Sequence, residues 1–479
     1  PLPPTSPPET AQPPQQPNSQ IDTPLNTAEP INQEEKLIQP LAPEQTPFEP
    51  VNGRLRYFDE DAFRYLEDTF STDYSAYWQL PQGPSLTLQD VQHILQQARQ
   101  NYQTQSAIIY AVFVPQGTAA DPVHNPLSRT RQRPPQPDDQ LMLILVTETG
   151  QPTQQLIDVS RAELTQQTKL FRLAVSDPED DLSYRALARQ MYTWLLAPLH
   201  KELANHSVEQ VMYSLDQGLR TIPLAAMMQG DEFIVEQYGV SIIPSAGLLH
   251  AQFDQKPPEP NTLIAGADQF MTLEALPAVP IELDIVAQHT QDSQVLLNEA
   301  FTLDNFVDQQ TSQQPGLLHL ATHAEFNTGS LDQSFIQLWD SQLTFDQMRE
   351  LSWSELELLI LSACETALSS PEAELGFVGL AAAAGIETSM GSLWNVSDVG
   401  TLALMAEFYT QLSQSPRRLH ALQKAQLSLI QGDTKIDSDT LNTSHDAVTL
   451  PAEWDLPVSA EFSHPFYWAG FTMVGNPWY

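Results

Sequence analysis

The chain has 479 residues, with 60 acidic side chains against 21 basic ones and a formal net charge of −39. That charge repels phosphate backbones and sets nucleic acid aside as a partner, and no run of about 18 apolar residues is present to form a transmembrane helix. A single cysteine rules out an intramolecular disulfide and leaves the redox compartment unread. Residues 1–50 hold 14 of the 39 prolines among Gln, Thr and Glu, so an extended disordered linker is expected there. With its start at Pro1, this segment reads as a tether downstream of a removed export signal, which favours export over the cytoplasm. Residues 51–180 are expected to form an N-terminal α/β adjunct. An aromatic-rich helix, "DEDAFRYLEDTF", is followed by a second with Thr87 and Asp90 as cap signal and Leu88, Val91, Leu95, Ala98 and Tyr102 on one face. "SAIIYAVFVP" and "LMLILVTET" then read as two strands. The proline-rich loop between them carries Arg129, Arg131 and Arg133, either as a solvated loop or as a docking or cleavage loop.

From about residue 181 to residue 479 helical segments alternate with short apolar runs. "LSYRALARQMYTWLLAPL" reads as a helix, and "VEQVMYSLD", "TLIAGA", "QVLLN", "GLLHLAT", "LELLILSA" and "ETSMGSLW" as strands. This alternation predicts an α/β fold, a mostly parallel sheet covered by helices on both faces. Ligands of such sheets sit at the carboxyl ends of the strands. A polar stretch of about thirty residues from Gly432 to Glu461 reads as a lid or an insertion, ahead of a last strand in "YWAGFTMVG".

His323 follows the strand "LLHLAT", and Cys364, the one cysteine, follows "LLILSA". Both therefore belong at one rim of the sheet. A thiol attacks a carbonyl as thiolate, and an imidazole that takes its proton supplies that form at neutral pH. His319, earlier on the same strand between Leu318 and Leu320, is expected to be a packed, hydrogen-bonded side chain. No His/Cys/Asp cluster has ligand spacing, so neither a metal nor another cofactor is expected.

The blocks "LLHLATHAEF", "LLILSACETAL", "AELGFVGLAAAAGIETSMGSLWNVSD" and "HPFYWAGFTMVGN", preceded by "GLRTIPLAAM" and "YGVSIIPSAGLL", resemble in their order the signature blocks of the CHAT family. These are caspase-like domains often found beside tetratricopeptide repeats and related to separases. The resemblance covers about residues 181–479. It implies a caspase-hemoglobinase-like fold and a cysteine endopeptidase, with His323 as catalytic histidine and Cys364 as nucleophile. The backbone N–H groups of Ala324, where the family commonly has glycine, and of Cys364 would form the oxyanion site.

The segment Trp394, Asn395, Val396, Ser397, Asp398 resembles an acidic "WDVTD" segment of separases with one acid replaced by asparagine. Asp398 is thus the candidate for receiving a basic side chain, and its other reading is the N-cap of the helix that follows. Glu365 and Thr366 are expected to orient the turn, Glu372 and Glu374 to favour a helix N-terminus, and His464 to be structural. The implied partner is a protein or peptide substrate, with a repeat-containing or adhesion-type partner expected from family habit. The alternative is a catalytically silent interaction or scaffold module.

Overall fold

All nine residues of β1 (Ser106–Val114) are buried. Ile108, Tyr110, Val112 and Val114 face one core, and Ala107, Ile109, Ala111 and Phe113 face the other. A strand covered on both faces gains nothing from alternating polarity, which is why its sequence is a continuous apolar run. The computed structural model of the chain describes residues 60–78, 84–117, 133–180, 182–249, 261–325, 333–351, 353, 355–362, 385–415, 417–452, 454 and 459–478. The linker expected at residues 1–50 lies outside the described residues. So do Arg129, Arg131, Cys364, Glu365, Thr366, Glu372 and Glu374.

Helices α1 (Glu60–Trp78) and α2 (Leu88–Tyr102) cover one face of β1 and β2 (Gln140–Val146). Helix α2 begins in the expected capping box, with Thr87 Oγ1 accepting from Asp90 N and Asp90 accepting from Thr87 N. The edge is β3 (Thr153–Ser160), a half-exposed strand that the polar sequence TQQLIDVS did not announce. Helix α3 (Arg161–Val175) follows, capped by the Ser160 hydroxyl. At the end of the β1–β2 loop, Arg133 is paired with buried Asp139, so this one of the three arginines anchors the chain where β2 begins.

The remaining strands of the main sheet are β4 (Gln210–Leu215), β5 (Gly239–Ile242), β6 (Thr262–Gly266), β7 (Ser293–Leu297), β8 (Leu317–Ala321), β9 (Leu358–Leu361), β10 (Thr388–Ser392) and β11 (Phe471–Gly475). The eleven strands lie in the order β3-β2-β1-β4-β5-β11-β10-β9-β8-β6-β7. Strands β7, β6, β8, β9 and β10 are mutually parallel, and so are β11, β5, β4 and β1. The two sets meet in antiparallel fashion at β10 and β11. The fold is thus mixed α/β, with a large, mostly parallel sheet flanked by helices. The carboxyl ends of its two halves open on opposite rims.

Helices α4 (Ser183–Leu195), α5 (Val279–His289), α6 (Leu303–Gln313), α7 (Asp398–Gln414) and α8 (Arg418–Gln431) complete the layers. Every residue of α7 from Gly400 to Thr410 is buried, so it is a core helix and not an amphipathic one. The polar stretch from Gly432 to Glu461 is a folded insertion: Lys435–Asp437, Thr440–Asn442, Ala447–Thr449 and Ser459–Glu461 form a four-stranded antiparallel sheet. Fully buried Glu407 of α7 clasps it, accepting from Thr434 Oγ1, Ser444 N, Ser444 Oγ and Gln411 Nε2. Replacing Glu407 by Leu leaves these donors facing an apolar side chain. A loss of about 2–3 kcal/mol in unfolding free energy, with faster proteolytic nicking inside residues 433–461, is the expected result. Unchanged protease resistance would show that the clasp is dispensable.

Candidate active site

Strand β8 carries LLHLA, all buried, to the rim of the sheet. Just beyond it, Thr322 Oγ1 donates to Gln337 O at 2.7 Å and His323 O accepts from Gln337 N at 2.8 Å. The backbone of the histidine is therefore pinned to the strand Phe335–Gln337. Ala324, 2% exposed, pairs with Ile336 in the same small sheet. Because Gln337 N bonds the carbonyl before Ala324, Ala324 and Ile336 form a non-hydrogen-bonded pair, and the Ala324 N–H points away from that ladder.

The ring of His323 is held from the other side by the segment between β6 and α5. Its Nε2 lies 2.9 Å from Glu274 O, and its edge meets the Phe270 ring at a centroid distance of 4.8 Å. A carbonyl only accepts, so Nε2 carries the proton and Nδ1 of the neutral ring keeps a free lone pair. The segment is closed at its base by Leu276 N donating to Asp268 O at 2.9 Å. It approaches β8 closely because Gly266 has no side chain; a Cβ there would stand 2.6 Å from Ala321 O.

Cys364 lies outside the described residues, but the strand that leads to it does not. Strand β9 pairs with β8 in parallel, Leu320 opposite Leu361, and Ser362 N donates to Leu320 O at 3.0 Å. His323 is three residues beyond Leu320 and Cys364 three beyond Leu361, so one and the same register offset separates the members of each pair. Ser362 is fully buried, and its hydroxyl has no hydrogen-bond partner among the described residues.

Asp398 is half-buried and is the first residue of α7, whose N-cap is its neighbour Ser397, donated to by Gly400 N at 3.2 Å. Asp398 caps a different helix. Its Oδ2 accepts from Ala278 N at 2.7 Å, at the start of α5. Burial pushes its carboxyl up to about 7; the Ala278 N–H opposes this, while the charges of Glu282, Asp268 and Glu274 add to it. Four carboxylates therefore face one neighbourhood with no described cation among them in an ion pair to Asp398. Asn395, at the position of the replaced acid, is exposed. Among the described residues no group of three or more metal-binding side chains is arranged to hold an ion.

His319 is fully buried, with Nδ1 3.0 Å from Tyr409 Oη and Nε2 2.9 Å from Glu282 Oε1, the latter contact lying off the axis of a hydrogen bond. It is a packed residue beneath the site, as its sequence neighbours suggest. His464 is likewise structural: Nδ1 accepts from Phe466 N at 3.1 Å and the ring stands edge-on to Tyr184. The residues that sequence reasoning missed are Phe270 and Glu274. One acts through a ring edge and the other through a backbone carbonyl, and neither leaves a motif.

A family model described as the CHAT domain matches residues 185–476. Among solved structures, the chain is similar to separase of Saccharomyces cerevisiae in its complex with securin, at 10% identity over 81% of this chain and 30% of that one, with a TM-score of 0.47. A second structure of that complex gives 11% identity over 81% and 31%, with a TM-score of 0.44. Gingipain R, an Arg-specific cysteine proteinase, is similar at 9% identity over 63% of this chain and 69% of that one, with a TM-score of 0.36. The chain thus spans about a third of the separase's length. No curated protein matches it.

Proposed function

The chain belongs to the CHAT domain family, and from that premise we propose that it is a cysteine endopeptidase in which His323 and Cys364 act as a dyad and Asp398 receives a basic side chain. The observation that supports this reading is the register of β8 and β9: Leu320 is paired with Leu361, and in the sequence His323 and Cys364 each lie three residues after a member of that pair.

In this reading, His323 Nδ1 takes the proton of the Cys364 thiol, and the ion pair holds the thiolate ready. Sulfur attacks the scissile carbonyl carbon, and the oxyanion is received by the N–H groups of Ala324 and Cys364. The C–N bond breaks as His323 returns the proton to the leaving amine. Water, deprotonated by the same ring, then hydrolyses the thioester and frees the acid product. The Glu274 carbonyl fixes the tautomer throughout, a role that needs no side chain. A substrate Arg or Lys would bring a cation to Asp398, for which no ion pair is present among the described residues.

Active-site titration tests this. A thiol-reactive peptide ending in Arg is expected to label the wild-type chain at Cys364 with saturation kinetics, and to lose that rate advantage in His323→Ala. Labelling no faster than that of the unfolded chain would favour the catalytically silent scaffold.

The carboxyl at Asp398 also predicts a pH signature. Burial pushes it up to about 7, and a guanidinium or ammonium beside it favours the ionised form, so binding releases a proton. KM for an Arg substrate should therefore fall relative to that for a neutral analogue as pH rises from about 6 to 8. Taking the ratio cancels the titration of the dyad. In Asp398→Asn the ratio should be flat with pH; if it still varies, the assignment to Asp398 fails.

A further inference from the structure

Two of the large hydrophobic side chains that stand out in solvent among the described residues lie within one three-residue stretch: Met271 is fully exposed and Leu273 is 38% exposed. The residues on either side of that stretch both touch the ring of His323. Phe270 lies against its ring and Glu274 O accepts from its Nε2. The stretch Met271–Leu273 is therefore a short bulge whose two feet stand on His323. The base of the loop is tied by Leu276 N to Asp268 O, and its exit, Ala278, is bonded to Asp398. The loop thus runs between the ring of His323 and the carboxylate that would take the basic side chain.

A peptide engaged at both places must pass along this loop. Exposed apolar side chains cost solvation free energy that a packed neighbour recovers, so Met271 and Leu273 offer a bound peptide apolar surface to bury. The surrounding carboxylates, Asp268, Glu274 and Asp398, repel acidic segments from the same path.

Resting on the peptidase reading, we propose that Met271 and Leu273 form an apolar rim that grips an apolar side chain of the substrate within a residue or two of the basic residue at the scissile bond. The selected peptide then pairs one cation, for Asp398, with one aliphatic or aromatic neighbour, for the rim. Methionine suits this use, since its unbranched thioether adapts to partners of different shape.

The test uses quenched-fluorescence peptides with Arg before the scissile bond and Leu, Phe, Ser or Glu at each neighbouring position. They are assayed on the full chain and on a Met271→Ser/Leu273→Ser double variant. At one position the wild-type chain should cleave the Leu or Phe peptide with kcat/KM about tenfold above the Ser peptide, mostly through KM. The double variant should bring the Leu and Ser peptides to within about twofold of each other. A Met271→Leu/Leu273→Met variant should keep the preference, and thermal midpoints should report that all variants fold. Equal cleavage of Leu and Ser peptides by the wild type overturns the rim while leaving the peptidase reading in place. If nothing is cleaved, the peptidase reading falls, and binding of the same peptides to the Cys364→Ala chain by fluorescence anisotropy decides the rim. Apolar-selective binding abolished by the double serine substitution supports it, and binding indifferent to the neighbour overturns it.

Discussion

On the proposed peptidase reading, Cys364→Ala is expected to abolish peptide cleavage and His323→Ala to lower it by roughly 10²–10⁴-fold, the usual contribution of a positioned general base. The two substitutions together should be no worse than Cys364→Ala alone, because members of a catalytic unit fail as a unit. Stability is not expected to follow activity. His323 is half-buried at the end of a strand whose backbone bonds to Gln337 do not involve its side chain, so each variant should unfold within about 1–2 kcal/mol of the wild type. Cleavage retained by Cys364→Ala would end the cysteine mechanism. A His323→Ala chain as active as the wild type would show that the histidine is not the base.

Arg418→Met should destabilise the fold by about 3–5 kcal/mol near pH 8, the cost of removing one partner from a buried ionic cluster. Arg418, the first residue of α8, is 4% exposed. Its guanidinium donates to Glu357 O and Thr388 Oγ1, each at 3.0 Å, and to Glu357 Oε2 at 2.9 Å, and it lies 3.5 Å from Glu387 Oε2. Burial pushes the Glu357 carboxyl up to about 7 against the pull of Arg418, and it raises Glu387 as well. A carboxyl raised above its unfolded value contributes stability that is fully present below about pH 4.5 and is lost as pH rises through the folded value. Without Arg418 both folded values climb further, so the penalty should be small at about pH 5 and grow through about pH 7–8. Denaturant melts of both proteins across that range measure it. A penalty independent of pH would mean that the arginine serves only by its bonds to Glu357 O and Thr388.

Much of the framework was legible because burial on both faces of a sheet writes continuous apolar runs. SAIIYAVFV, LLHLA and LLIL are strands where the sequence placed them, and Thr87 with Asp90 marked a helix start through a local bond. What was not legible has equally physical causes. The edge strand β3 buries only part of itself, so its residues need not be apolar. The insertion holds its sheet to α7 through one buried carboxylate and polar partners, with little apolar periodicity to betray it. The grip on His323 comes from residues about fifty positions upstream, through a ring edge and a carbonyl. Of the two readings of Asp398, pocket or cap of its own helix, the cap place belongs to Ser397, and the carboxyl reaches across to α5 instead.

Strand β4 takes its partner on one side from β1, residue by residue from Ser106 with Gln210 to Ala111 with Leu215. A shortened chain that starts after α3 would leave β4 as a raw border of the sheet, with a row of unsatisfied amides and carbonyls beside side chains made to be covered. Such borders recruit strands from other molecules. Residues 60–175 therefore act as a built-in stopper against self-assembly, and the CHAT-matched part of the chain could be produced without them only if some other strand were supplied in their place.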